Sequence, residues 1–303
     1  MLALAALALP ARAAAVDPSA DGRFPVGVTT LTFRDAARGR TLVTEVWYPA
    51  QAAGRDTAAR RGTYPLVLVA HGHCGFRTNY EYLSMPLASW GFLVAAPDFP
   101  GINQADCDAG VPEPLSDLFT EPPRDLEFLR GAFHDRSGPA RAVAPLVRGR
   151  RAGLVGHSLG GYAVVHASLA DPNLTAVVAL APLAGSVDGQ AFEGLRPGRA
   201  VLVAGGTADT TLPFDTFAAA FFTPLPAPAF LLEIVGGTHS GFTDMDSHLS
   251  AEQLARQQAL TRRYATAFLR RYLADDRRFA QFLAPADAAR EGPDVVLTAR
   301  LRR

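Results

Sequence analysis

The chain has 303 residues, of which 49% are hydrophobic, and its 29 basic and 29 acidic residues give no formal net charge. A chain of this length and composition is expected to form one large globular domain with a substantial buried core. The balanced charge excludes the strongly basic surfaces that bind nucleic acid or an anionic membrane.

The first fifteen residues differ in composition from the rest of the chain. Residues 1–9 are almost all alanine and leucine, and this run is too short to span a bilayer. Possible signal-peptidase sites rich in alanine follow within residues 11–15. Together these features are typical of the remnant of a secretory signal peptide that lacks its basic segment. An Ala/Leu helix packed on the domain is the alternative. We therefore expect a secreted or periplasmic protein with no stable membrane insertion and a single domain over residues 16–303.

The predicted elements begin with a β-hairpin and continue as alternating strands and helices. Two β-rich runs, 26–33 and 41–48, flank a charged turn with Gly39, which predicts antiparallel pairing. From Tyr64 on, continuous apolar runs typical of strands buried on both faces of a parallel sheet alternate with helix-compatible segments. The strand runs are 66–70, 92–96, 152–155, 176–180, 200–204 and 230–235, and the helix segments are 79–90, 123–133, 161–170, 215–222 and 250–273. We predict an α/β fold with a mostly parallel central sheet, an N-terminal antiparallel hairpin and helices on both faces.

The segment Gly156-His157-Ser158-Leu159-Gly160 has the pattern G-x-S-x-G and lies between a strand run and a helix segment. On such a turn the serine hydroxyl is exposed, and the glycines avoid clashes across the tight backbone. The backbone N–H of Leu159, at the start of the helix, has no partner within the helix. The alternative is a turn of small residues without chemistry.

An acid and a base follow at the carboxyl ends of later strands, the edge where ligands bind in such sheets. A serine nucleophile needs a neighbouring base, and a histidine base needs an acceptor that sets its tautomer. Ser158, Asp209 and His239 supply these groups, in the chain order of α/β-hydrolases. His157, by contrast, is expected to point away from the serine. The alternatives are His248 as the base and Asp188 or Asp215 as the acid.

The loop after the first buried strand provides a second backbone donor. Gly72 permits a close approach, so the N–H of His73 and that of Leu159 would form an oxyanion hole. A turn with a satisfied core histidine is the alternative for His71 and Gly72. Besides Gly72, we expect Cys74 and Phe214 to contact substrate.

The chain has two cysteines, Cys74 and Cys107, which lie in loops at the same edge of the sheet. The sequence permits either a disulfide between them or two free thiols. His71 and His73 have no third ligand at a recognisable spacing other than Cys74, so we expect no metal.

The segment after residue 213 contains four phenylalanines, of which we expect at least two to pack on the sheet: Phe214, Phe217, Phe221 and Phe222.

On these motifs the chain resembles the α/β-hydrolase superfamily, and more narrowly bacterial hydrolases grouped with platelet-activating-factor acetylhydrolase, chlorophyllase and dienelactone hydrolase. The segments that carry the resemblance are Glu45–Ala50, Ala70–Arg77, Leu87–Ala96, Gly156–Gly161 and Gly205–Asp209. It extends from about Val26 to Leu283. The resemblance implies a serine esterase without cofactor, with Ser158 as nucleophile, Asp209 as acid, His239 as base and the His73 and Leu159 N–H groups as oxyanion donors. Polyester hydrolases carry an aromatic residue at the position of His73 and a tryptophan at that of Leu183, which disfavours an aromatic polyester as substrate.

We therefore predict a serine hydrolase that cleaves carboxylic esters through a Ser-His-Asp triad and an acyl-enzyme intermediate. Only a short excursion fits between Pro182 and Arg199, so we expect no large lid and a site for short-chain or exposed esters. The substrate is expected to be a small-molecule or polymeric ester, and the chain a monomer or weak homodimer. Acyl transfer to an acceptor other than water, and a non-catalytic binding role on the same scaffold, are the alternatives.

Overall fold

The computed structural model describes residues 16–111, 114–136, 138–143, 146–183, 199–245 and 248–301. The expected signal peptide, residues 1–15, lies outside the described residues. The strands are β1 (Val26–Asp35), β2 (Arg40–Pro49), β3 (Gly54–Arg55), β4 (Tyr64–Ala70), β5 (Leu93–Pro97), β6 (Val147–His157), β7 (Leu174–Leu180), β8 (Ala200–Gly206), β9 (Ala229–Ile234) and β10 (Val295–Arg300). The helices are α1 (Glu81–Ser89), α2 (Gln104–Asp108), α3 (Leu115–His134), α4 (Leu159–Ala170), α5 (Ala220–Phe222), α6 (Ala251–Tyr272) and α7 (Pro285–Glu291).

All ten strands belong to one sheet, in the order β10-β9-β8-β7-β6-β4-β5-β2-β1-β3. The six central strands, from β9 to β5, are parallel, and β2 and β10 run antiparallel to their central neighbours. β1 and β2 form the predicted hairpin, and Gly39 in its turn has φ of 66°. The mostly parallel sheet with its N-terminal hairpin confirms the predicted α/β fold.

Helices cover both faces of the sheet, and this explains why its central strands are apolar throughout. Every residue of β4 is buried. Leu66 and Leu68 pack with α3 and α4 on one face, whereas Val67 and Val69 pack with α1 and α6 on the other. Alternate side chains of a strand point to opposite faces, so a strand covered on both faces must be apolar at every position.

Two helical segments differ from the sequence-based predictions. α3 begins at Leu115 instead of near residue 123, and it includes Pro122 and Pro123. The predicted segment 123–133 is therefore only the second part of α3; a proline inside a helix is unusual, since this residue ordinarily favours the first turn. The predicted 215–222 helix is a π-helical turn over Asp215–Ala219 followed by α5. Among the described residues, no helix is both long and apolar enough to span a membrane.

Candidate active site

Ser158 lies on the sharp turn between β6 and α4 that the sequence predicts. Its φ of 55° and ψ of −121° are unfavourable for a residue with a side chain. A Cβ on Gly156 would lie 2.1 Å from the carbonyl oxygen of Gly160, and one on Gly160 would lie 2.3 Å from that of Ala70. Both contacts are with backbone atoms that cannot rotate away, so the turn requires glycine at both positions.

Asp209 and His239 meet at the same edge of the sheet, although they lie thirty residues apart. The Nδ1 atom of His239 is 2.8 Å from Oδ2 of Asp209, while Oδ1 accepts hydrogen bonds from the N–H groups of Thr211 and Leu212. The Asp209 side chain is 1% exposed and that of His239 is 16% exposed. A carboxylate in this position holds the proton on Nδ1 and leaves Nε2 able to accept a proton.

The loop after β4 lies directly against the serine. A Cβ on Gly72 would lie 3.1 Å from Cβ of Ser158, a contact tighter than side chains ordinarily make. Within the described part of the chain, neither the N–H of His73 nor that of Leu159 donates a hydrogen bond to a protein acceptor. Both donors are therefore available to a ligand at this edge.

A disulfide joins Cys74 to Cys107, with 5.7 Å between their Cα atoms. It decides between the two states that the sequence left open. The bond ties the residue after His73 to α2, and the N–H of Cys74 also donates to the carbonyl of Ile102 at 2.8 Å. The two sulfurs and a ring nitrogen of His73 lie within 4.8 Å of one another. Bonded sulfurs are not thiolates, the form of cysteine that binds metals.

Two further histidines are buried beside the candidate triad. The His71 ring donates from Nδ1 to the carbonyl of Gly72 at 2.7 Å and accepts at Nε2 from the N–H of Phe99 at 3.0 Å. Burial lowers the pKa of His71 to about 4. His157 is also buried, and burial together with the nearby His239 holds the pKa of His157 well below its ordinary value. Both rings are neutral at pH 7, as expected of the satisfied core histidine that was the alternative for His71.

The contacts of His157 were missed by the sequence analysis. Its ring centroid lies 4.5 Å from that of His239, and its Nε2 donates to the carbonyl oxygen of His239 at 3.1 Å. Its Nδ1 lies 3.1 Å from the hydroxyl of Tyr80. Tyr80 is at the start of α1, and no motif in the sequence marks it. The ring thus faces the loop that carries His239.

Among the described residues, the acid that bonds to the ring of His239 is Asp209 and not the alternative Asp215. His248 and Asp215 are exposed, and Asp188 lies outside the described residues. The segment 184–198, where a short excursion is expected, is also outside them. Leu183 lies beside the serine, since its N–H donates to the carbonyl of Ser158 at 2.9 Å.

Phe214 packs against the sheet: a Cβ on Gly205 would lie 2.7 Å from its Cδ2 atom. Phe221 and Phe222 are buried in the same cluster, which agrees with the expectation that at least two of the four phenylalanines pack on the sheet. Phe214 remains partly exposed, so a contact with substrate stays a prediction.

A cavity of about 450 Å³ lies away from these residues. Its lining includes Phe24, Trp90, Arg270 and Phe279. Trp90 precedes β5, so the cavity is at the amino edge of the parallel strands, opposite to Ser158. It takes no part in the candidate site.

The chain is similar in sequence to a known family and to several known proteins. A family model described as PET hydrolase-like matches residues 10–296. The chain is 27% identical over 242 residues to a bis(hydroxyethyl) terephthalate hydrolase of Streptomyces coelicolor, an alignment that covers 79% of this chain and 65% of that protein. It is 25% identical over 227 residues to cutinase 1 of Thermobifida cellulosilytica, covering 74% of each chain. A cutinase of Thermobifida fusca is also 25% identical, over 74% of this chain and 64% of its own length. The chain thus spans slightly less than two thirds of the Streptomyces and T. fusca proteins.

Proposed function

Because the chain belongs to the PET hydrolase-like family, we propose that it hydrolyses carboxylic esters with Ser158 as the nucleophile. The observation that carries this proposal is the 2.8 Å bond between Asp209 and His239 at the edge where Ser158 occupies its strained turn. Relatives named as cutinases and as a terephthalate ester hydrolase support the same reaction class.

The proposed reaction has two halves. His239 accepts the proton of the Ser158 hydroxyl at Nε2 while the oxygen attacks the ester carbonyl. The tetrahedral oxyanion accepts hydrogen bonds from the N–H groups of His73 and Leu159, each worth about 3 kcal/mol in the transition state. When the intermediate collapses, His239 returns the proton to the leaving alcohol and the acyl group stays on Ser158. Water then attacks the acyl-enzyme by the same route and releases the acid.

Asp209 orients the base in this proposal. Its carboxylate oxygens accept three hydrogen bonds, from His239, Thr211 and Leu212, so this buried side chain is held in a fixed orientation. A carboxylate held in this way stabilises the imidazolium that forms when His239 takes the proton.

We infer that the substrates are short-chain or sterically exposed esters. This rests on the resemblance, by which His73 and Leu183 stand where polyester hydrolases carry aromatic residues; their absence disfavours an aromatic polymer as substrate. Gly72, Cys74 and Phe214 are the proposed substrate contacts. The Cys74–Cys107 disulfide also supports an oxidising location, such as outside the cell or in the periplasm.

The test replaces the nucleophile and the acid. Ser158→Ala is expected to lower kcat for p-nitrophenyl acetate by at least ~10⁴-fold, and Asp209→Asn by about 10⁴-fold, with the fold retained. The matched control is Ser168→Ala in α4, the helix that follows Ser158, because the Ser168 hydroxyl donates to the carbonyl of Val165. Wild-type protein and the control are expected to react with a fluorophosphonate, and Ser158→Ala is not.

Turnover by Ser158→Ala at the wild-type rate would refute this assignment. Bis(hydroxyethyl) terephthalate and a series of p-nitrophenyl esters of increasing chain length then define the substrate. Hydrolysis that favours long chains or polymer films over short esters contradicts the proposed substrate class without affecting the triad. Adding an alcohol and measuring new esters distinguishes acyl transfer from hydrolysis.

A further inference from the structure

The hydroxyl of Tyr80 lies between two loops of the candidate site. Tyr80 is 3% exposed and sits at the start of α1. Its oxygen accepts a hydrogen bond from the N–H of Gly72 at 3.2 Å and lies 3.1 Å from Nδ1 of His157. One side chain therefore contacts both the oxyanion loop, defined here as residues 71–75, and the residue before Ser158.

The direction of each hydrogen bond follows from donor chemistry. A backbone N–H can only donate, so the oxygen of Tyr80 is the acceptor towards Gly72. Its own hydrogen is then free to be donated to Nδ1 of His157. Because the ring of His157 is neutral, its proton is on Nε2, the atom that lies 3.1 Å from the carbonyl oxygen of His239. The chain of donors thus runs from Gly72 through Tyr80 and His157 to the backbone of His239.

The Gly72 carbonyl is held from the other side. It accepts hydrogen bonds from Nδ1 of His71 at 2.7 Å and from the N–H of Gly75 at 3.0 Å. This carbonyl and the N–H of His73 belong to one planar trans peptide, so they point in opposite directions. Fixing the Gly72 residue on both sides therefore fixes the direction of the proposed oxyanion donor.

We propose that Tyr80 is a positioning residue. Its hydroxyl holds the oxyanion loop in place and, through His157, also holds the loop that carries His239 in place beside Ser158. The proposal rests on the proposed function, since it concerns the geometry of that reaction. The aromatic ring of Tyr80 packs in the apolar cluster between the sheet and α6. A phenylalanine would keep this packing and remove only the hydroxyl, leaving Gly72 and His157 each without a buried partner.

The first test is Tyr80→Phe. Misplacement of the donor and the base affects the transition state more than the bound ester, so kcat is expected to fall about 10- to 100-fold while KM changes little. The matched control is Tyr48→Phe in the hairpin, where the hydroxyl of a buried tyrosine donates to the carbonyl of Thr57 at 2.8 Å. The control loses one hydrogen bond of the same kind and is expected to keep the wild-type kcat. An equal fall in both variants, or none in Tyr80→Phe, overturns the proposal.

The second test does not depend on activity, and its first measurement needs no variant. Two-bond ¹H–¹⁵N spectra of histidine-labelled wild-type protein are expected to show His157 as the neutral tautomer with the proton on Nε2. In Tyr80→Phe, the Nδ1 resonance of His157 should move because it loses its donor, whereas Tyr48→Phe leaves it in place. A His157 ring protonated on Nδ1 in the wild type overturns the proposal. If wild-type protein hydrolyses no ester and takes up no fluorophosphonate, the proposed function fails, and these spectra still decide whether the hydrogen bonds exist.

Discussion

Acid is expected to destabilise this protein through histidines that the fold keeps buried and neutral. The ring of His71 is 1% exposed and both of its nitrogens are hydrogen-bonded. Burial lowers the pKa of His71 from 6.5 to about 4, and outweighs the hydrogen bond to the Gly72 carbonyl and the charge of Asp98, which act in the opposite direction. The folded state therefore resists protonation at a pH where the unfolded chain accepts it.

The sign and the size of the effect follow by linkage. Between pH 6.5 and about 4 the unfolded state binds more protons at this residue than the folded state, so stability falls as the pH falls. At about 1.4 kcal/mol per pH unit, the interval corresponds to a loss on the order of 3 kcal/mol. Below about pH 4 both states are protonated and His71 causes no further loss. His157 acts in the same direction, since its pKa is also lowered.

The assay is urea denaturation followed by circular dichroism at pH steps from 7.5 to 4. The variant His71→Gln is expected to be less stable at pH 7.5 but to lose less stability on acidification than the wild type. The control is His248→Gln at an exposed position; it retains the buried His71 ring and is therefore expected to keep the loss of stability on acidification. An NMR titration of the wild-type ring should give a midpoint near 4 for His71, even if His71→Gln does not fold. A midpoint near 6.5, or the full pH dependence retained in His71→Gln, would refute the reasoning.

The remaining predictions concern the turn and the disulfide. Gly160→Ala places a Cβ 2.3 Å from the carbonyl oxygen of Ala70, so we expect a loss of about 1–3 kcal/mol in urea unfolding and a lower kcat. In the matched variant Gly131→Ala on α3, the new Cβ meets no atom within 4 Å, so we expect this variant to be more stable by up to about 1 kcal/mol. Equal effects of the two substitutions would contradict the steric explanation. Replacing both Cys74 and Cys107 by serine removes a disulfide between residues 33 positions apart and should lower the unfolding free energy by about 2–4 kcal/mol. Unchanged stability in urea would contradict this prediction.

Elements whose signal lies within a few consecutive residues are the ones that the sequence predicts most accurately. The apolar run of β4 predicts a strand covered on both faces, because only such a strand excludes polar residues at every position. The turn at Ser158 is likewise contained in five consecutive residues, and its glycines are required by contacts of about 2 Å. The family match confirms the resemblance to α/β-hydrolases and specifies the PET hydrolase-like family within that superfamily.

Short elements were poorly predicted because their stability comes from neighbours distant in sequence. β3 has only two residues and exists by pairing with β1. α2 lies beside the disulfide, and the N–H of Gln104 donates to the carbonyl of Gly75. Neither contact leaves a periodic pattern in the residues that make it.

The sequence by itself determined the architecture and the identity of the candidate triad. Buried strands, helix faces and the order Ser158, Asp209, His239 are encoded in local composition and spacing. The parallel strands then bring their carboxyl ends to one edge whatever the details of packing. Only the tertiary structure decided that Cys74 is bonded to Cys107 and that Tyr80 lies between Gly72 and His157. A disulfide and a buried hydroxyl both depend on a few ångströms of separation between distant segments, and such distances are set by the packing of the whole core.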